Sequence, residues 1–352
     1  MAVNPVPETL APDPLRAGNP ECYTFETGDG VRLRLTRYRG EGRRPVLMAP
    51  GFGVSSLSFT ANTLPMNLPQ TLAAAGFDAF VLDYRASPAL PSATTRFDLD
   101  DVAKRDWPAA VDAVRALTGA DQILAMGHCV GSMTLLMSRM AGLQGIKAMI
   151  CSQLSTHPVV TWVTRLKAVS HMADAMDALG IHTLDTTPGK GLRRRLMDVL
   201  LRLVPIDREE RCDSPVCLRI FAMYGPSYRH ACLDPATHDA IPAMFGPSSV
   251  PAFRHITRIL RKGHVVDARG GDTYMPHIDR LQLPILFLAG RHNRLFLPDS
   301  TKLLYDTLTG RFGQAGYERR VFPEYAHMDC FLGHGAAQDV YPVVLEFLAR
   351  ND

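Results

Sequence analysis

Residues Leu124-Ala125-Met126-Gly127-His128-Cys129-Val130-Gly131-Ser132 form an apolar run that breaks at a glycine, presents one Cys and re-enters an apolar helix. Few local structures satisfy such a run, and a strand, a sharp turn and a helix do. In the pattern Gly-x-nucleophile-x-Gly, Gly127 and Gly131 let the backbone crowd, so that Cys129 is lifted above a sheet end and onto a helix N-terminus. That terminus favours an anion, so the position is expected to favour a thiolate. His128 reads as packing within this nucleophile elbow.

The surrounding chain reads as alternating strands and helices. A turn at Glu26-Thr27-Gly28-Asp29-Gly30 and strict alternation over residues 31–36 open it with an antiparallel hairpin. Apolar strands are expected at 45–50, running into Gly51-Phe52-Gly53, and at 79–84, with a helix between them near Leu72 to Ala75. Over 98–118 the apolar positions Ala103, Trp107, Ala110, Val111, Val114 and Leu117 recur at helical spacing, with Asp98 as N-cap and a kink or restart at Pro108. The helix after the elbow carries Met133, Met137 and Met140, a stripe that reads as core. A strand at 146–151 follows, and then the rhythm stops for about 130 residues, far beyond an ordinary loop. It returns with a strand over 284–290, Arg291-His292-Asn293, a helix opening near Asp299, a strand at 318–322, His327, and a last helix facing inward through Val340, Val344 and Leu348. A parallel sheet is implied. The expected parts are an N-terminal arm over 1–20, mobile because it is Pro-rich, a core over 21–154 and 283–352, and a mostly helical cap over 155–282. Leu192, Leu196, Leu200 and Leu203 mark one cap helix, whose Arg193-Arg194-Arg195 run reads as a solvated face.

The charge balance, 38 basic against 35 acidic residues, argues for neither nucleic acid nor a membrane surface as partner. No apolar run reaches membrane-spanning length, and the first residues lack the pattern of a signal peptide. Seven cysteines at irregular spacing read as free thiols in a reducing, cytoplasmic setting. Cys212 and Cys217 are the one close pair, but no second pair completes zinc-finger spacing. They read as buried small hydrophobes, and neither metal nor cofactor is expected.

Cys129, a polar residue three positions past the glycine ending a late strand, and His327 after the last strand stand in the chain order of the α/β-hydrolase triad. The chain resembles that superfamily from about Val46 onward, which implies a mostly parallel central sheet flanked by helices under a large, mainly helical cap. Within it, residues 97–109 and the segment His327-Met328-Asp329-Cys330-Phe331-Leu332-Gly333 resemble acid lipases, and 244–274 is similar to their lid in layout. A nearer likeness is to bacterial hydrolase domains fused to, or beside, cholesterol-oxidase-like flavoenzymes, which implies a flavin oxidoreductase as partner. The Cys elbow resembles polyhydroxyalkanoate synthases and dienelactone hydrolases.

Acid lipases place Ser in the elbow and Asp as third member, where this chain has Cys129 and Asn293. The two departures are chemically consistent. A Cys-His pair can rest as thiolate and imidazolium, so a neutral Asn that holds the ring's tautomer can suffice. Asn293 is therefore preferred to Asp299, which suits a cap of the next helix. The fold implies oxyanion-hole N–H groups from Phe52 and Val130. The expected chemistry is acyl transfer through a thioester on Cys129, as an esterase or thioesterase acting on a lipophilic acyl substrate. An acyltransferase using an alcohol, amine or thiol acceptor is the first alternative, and a silent ligand-binding or partner-docking homologue the second. The joints at Thr187-Pro188-Gly189, Phe245-Gly246-Pro247 and Gly270-Gly271 lead to the expectation of a cap that opens.

Overall fold

In the computed structural model, which describes residues 3–10, 13–42, 44–187 and 208–352, nine strands form one sheet. They are β1 (Val6–Glu8), β2 (Glu21–Glu26), β3 (Arg32–Tyr38), β4 (Arg44–Ala49), β5 (Phe77–Asp83), β6 (Ile123–His128), β7 (Ile146–Ser152), β8 (Ile285–Gly290) and β9 (Tyr317–Phe322). Their order is β1-β2-β3-β5-β4-β6-β7-β8-β9. Pairing is antiparallel from β1 through β3 to β5 and parallel from β5 to β9. This is the architecture expected from the rhythm of the sequence.

Alternation along the strands builds two cores. Leu47, Ala49, Phe80, Ala125 and Phe287 face one side with α2 (Trp107–Thr118), α3 (Val130–Ala141) and α9 (Asp299–Phe312). Val46, Met48, Val81, Leu124 and Leu286 face the other, with α1 (Leu68–Ala74) and α10 (Tyr341–Arg350). Each fully buried Val, Leu or Phe contributes about 1.5–3 kcal/mol, so a sheet covered on both faces is the stable arrangement for these runs. Met133, Met137 and Met140 are part of the first core.

Local details follow the sequence closely, with two corrections. Asp98 caps its helix in a reciprocal box with Asp101, a π turn spans Val102–Asp106, and the α-helix resumes at Trp107, with Pro108 in its first turn where no N–H is needed. The first correction concerns the arm: residues 6–8 are a sheet strand, and Ala17 N–H donates to Thr60 O at 2.9 Å with its side chain buried. The second concerns Asp299, which is exposed and lies inside the first turn of α9. Pro298 holds the N-cap position, and no side chain caps it.

Between β7 and β8 runs the long insertion, with α4 (Trp162–Val169), α5 (Met172–Ala178), α6 (Pro215–Met223), α7 (Pro235–Met244) and α8 (Val250–Lys262). Helices α4 and α5 pack on α8, where Arg254 and Arg261 both pair with Asp174. Leu192 to Leu203, with the Arg193–Arg195 run, lie outside the described residues. The insertion is fastened to the core by backbone: Ser55 N–H to Met244 O at 2.9 Å, Met328 N–H to Ser227 O at 2.9 Å, and Leu297 N–H to Val159 O at 2.8 Å. Among the described residues no helix is long and apolar enough to cross a membrane.

Candidate active site

The C-terminal ends of β4, β6 and β8 and the loop after β9 converge on one point, the position where this sheet topology leaves a crevice. Cys129 sits there at φ 56°, ψ −126°, one of three described non-glycine residues with positive φ. Such backbone costs about 1–3 kcal/mol and persists only where the surroundings enforce it. The flanking glycines do so: a Cβ at Gly127 would lie 2.5 Å from Ser132 N, and one at Gly131 would lie 2.7 Å from Ala49 O. The turn therefore packs backbone against backbone.

The backbone N–H groups of Val130 and Phe52 both favour the ionised form of the Cys129 thiol. Val130 is there because α3 starts at that residue. Phe52 is held by a network that pattern reading does not reveal: buried Asp83, at the end of β5, accepts from Ser56 N–H and Ser56 Oγ (both 2.8 Å), Ser87 Oγ (2.6 Å) and Arg34 Nη2 (2.8 Å). The nearby Arg34 guanidinium and these donors outweigh burial and keep the Asp83 carboxyl below its usual range. The loop after β4 is thereby tied to the neighbouring strand.

Asn293 contacts His327, and the orientation of its amide is fixed by backbone. Oδ1 accepts from Leu295 N–H and Phe296 N–H, both at 3.0 Å, which places Nδ2 toward Gln153 Oε1 (2.9 Å) and His327 Nδ1 (3.0 Å). Gln153 is fixed in turn, because Oε1 also accepts Gly290 N–H at 3.0 Å, while its Nε2 donates to Cys330 Sγ. An amide nitrogen only donates, so His327 Nδ1 must accept and the ring proton resides on Nε2. Gln153 is the residue sequence reasoning missed. It follows β7 at φ 71°, 140 positions from Asn293, and no motif marks it.

The ionisation expected of this pair needs correction. Burial pushes the Cys129 thiol up to about 12, against the pull of the Val130 and Phe52 N–H groups. Burial, and then His128 beside it, hold His327 well below its ordinary value. The pair rests as neutral thiol and neutral imidazole, because helix-end and N–H stabilisation do not offset desolvation. His128, its ring 4.7 Å from that of His327, is pushed down to about 3 by burial, and its Nδ1 lies 3.3 Å from Ser152 Oγ.

These groups form the floor of a cavity of about 320 Å3. Its walls are apolar: Met172 and Met176 from α5, Phe253 and Leu260 from α8, Tyr224 after α6, and Phe296 from the core. Phe52 meets Phe253 edge to face, with ring centroids 5.0 Å apart. A pocket that is greasy around a few polar atoms suits a lipophilic ligand with one reactive group.

Sheet order, elbow and flanking helices together define an α/β-hydrolase fold, and residues 44–187 match the family model described as alpha/beta hydrolase fold. The chain's homologues are lipase-like. It is similar to Triacylglycerol lipase 1 of Arabidopsis thaliana, 23% identical over 96% of this chain and 90% of that one. A 129-residue stretch, 32% of each chain, is 29% identical to the lysosomal acid lipase/cholesteryl ester hydrolase of Homo sapiens. Among solved structures, a soluble variant of the monoglyceride lipase of Saccharomyces cerevisiae, in complex with a substrate analog, superposes with a TM-score of 0.60 at 14% identity, covering 96% of each chain.

Proposed function

We propose that this protein is an acyl-transfer hydrolase in which Cys129 takes the acyl part of a lipophilic ester or thioester as a thioester of its own. One observation carries the reading: Cys129 is held in strained backbone with its thiol against the N–H groups of Phe52 and Val130, at the floor of an apolar cavity. In the reaction Sγ bonds to the carbonyl carbon, the two N–H groups receive the oxyanion, and the bond to the alcohol or thiol leaving group breaks. The thiol proton passes through His327 to the leaving group, and water activated by the same ring later releases the acid. For that, Nε2 must be free and Nδ1 must carry the ring proton. Turning the Asn293 amide so that its carbonyl faces Nδ1, with the ring proton moving to that nitrogen, provides this, at the expense of the hydrogen bonds from Leu295 and Phe296 and of the one to Gln153 Oε1, which leaves buried polar groups unpaired at about 1–3 kcal/mol each. The base is thus switched off in the resting arrangement and engages once the amide has turned. The insertion supplies the cavity wall and selects the acyl group.

A second reading, a binding module for lipophilic ligands with no turnover, is favoured by the neutral resting pair. Intact-protein mass spectrometry after exposure to acyl esters and acyl thioesters decides. A mass gain equal to the acyl group, mapped to Cys129 and lost in Cys129→Ala, is expected, and added alcohol, amine or thiol acceptors that shorten the adduct's lifetime and collect the acyl group would assign transfer over hydrolysis. Binding without any adduct or product would favour the module.

A further inference from the structure

Away from the cavity floor, the insertion gathers two thiols and two imidazoles that the acyl chemistry does not use. Cys217 lies in the first turn of α6, His238 in the first turn of α7, and Cys212 and His230 on the connections before and between them. One ligand atom from each lies within 4.8 Å of all the others. A zinc tetrahedron with bonds of about 2.3 Å to sulfur and about 2.0 Å to nitrogen has edges of roughly 3.3–3.8 Å. Cys217 Sγ and His238 Nε2 are 3.3 Å apart. From these residues we infer a structural zinc site of the Cys2His2 type.

The surroundings are those of a ligand set. His230 Nδ1 lies 2.8 Å from Glu210 Oε2, which also accepts the His230 backbone N–H at 3.0 Å. The other nitrogen of that ring, Nε2, is buried and faces the Cys217 thiol. A carboxylate behind the outer nitrogen, with the inner one turned toward a thiol, orients an imidazole for a metal. Asp239 Oδ1 lies 3.7 Å from His238 Nδ1, beyond hydrogen-bond reach. The Tyr228 hydroxyl donates to Cys217 Sγ at 3.0 Å, a bond that a ligating thiolate accepts. Two thiolates and two neutral imidazoles cancel the charge of a dication, which suits a site whose Cys217 sits in one apolar cluster with Ile220, Phe221 and Ile241. The sequence hides the site because twelve residues separate Cys217 from His230 and seven separate the histidines, so no second close pair stands out.

The ion would fasten α6, α7 and their connections into one unit. That unit ends on the reactive cavity: Ala222, Met223 and Tyr224 line the wall, and Ser227 O holds the N–H of Met328, next to His327. Zinc here shapes the wall without touching the acyl group.

The test uses the full chain, produced with zinc supplied and dialysed exhaustively before metal analysis. One zinc per chain is expected, and cobalt put in its place should give the strong visible absorption of tetrahedral cobalt together with sulfur-to-metal charge transfer. Cys217→Ser and His230→Ala should each lose the ion, whereas Cys22→Ser, in β2, should retain it. Should the ligand variants not fold, alkylation of the unaltered protein mapped by mass spectrometry decides, with zinc expected to shield Cys212 and Cys217 until a chelator is added. Absence of stoichiometric zinc, equal alkylation with and without zinc, or a Cys212–Cys217 disulfide in zinc-supplied protein would overturn the proposal.

Discussion

Burial and hydrogen-bond polarity together decide how Cys129 and His327 share protons. With the thiol pushed up to about 12, its thiolate fraction should grow about tenfold per pH unit through the neutral and alkaline range. Alkylation of Cys129 by a neutral haloacetamide should therefore climb without levelling below about pH 10. A plateau starting at about pH 6 would reveal a preformed ion pair. The sign for stability is the reverse: above a free thiol's value, about 8.5, the unfolded chain releases this proton and the native one does not, so stability falls as pH rises. Asn293→Asp probes the amide chain. The carboxylate keeps the Leu295 and Phe296 N–H groups, accepts a proton-bearing Nδ1 and frees Nε2, so acylation should accelerate by about tenfold or more. Gln153 Oε1 then faces an oxygen instead of a donor, and stability should drop by about 1–3 kcal/mol in denaturant titration. A variant of unchanged rate and full stability would show that this chain does not set the tautomer. Asp299→Ala, exposed and without a capping role, should change stability by less than about 0.5 kcal/mol.

Strand, turn and helix at 123–141 stood out in the sequence because glycines and apolar periodicity announce them, and the same holds for the hairpin, for the Asp98 cap and for each parallel strand. What stayed hidden depends on contacts distant along the chain. Gln153 matters only because it reaches Asn293 and Gly290, Asp83 because it holds Ser56, and β1 because its few residues pair with β2. Pro content suggested a loose arm, yet pairing requires only that Val6 to Glu8 be extended, which proline permits at an edge. The turn itself makes a prediction. Glycine at 129 removes the strain at φ 56° and sacrifices only a small side chain, so Cys129→Gly should abolish acylation while raising stability by up to about 1 kcal/mol. Thermal unfolding checks it, and a clear loss of stability would mean that the backbone is comfortable there.

At the scale of the whole molecule, the core supplies the floor of the cavity and the insertion most of its wall. Because Met172, Met176, Phe253 and Leu260 surround the cavity, specificity constants should rise along an acyl-length series and short acetyl esters should be inferior. Shortening the wall by Phe253→Ala should weaken the long-chain preference more than the acetyl rate. A flat series would show that the insertion encloses the site without selecting what enters it. The chain from Cys330 through Gln153 and Asn293 to His327 has a further consequence. Every bond in it joins neutral groups at rest. A carboxylate in the same place would couple the ring to distant surface charges, whose influence dissolved salt screens over about 10 Å. Reactivity at this site should accordingly be almost indifferent to ionic strength and to charge reversals on the protein's exterior.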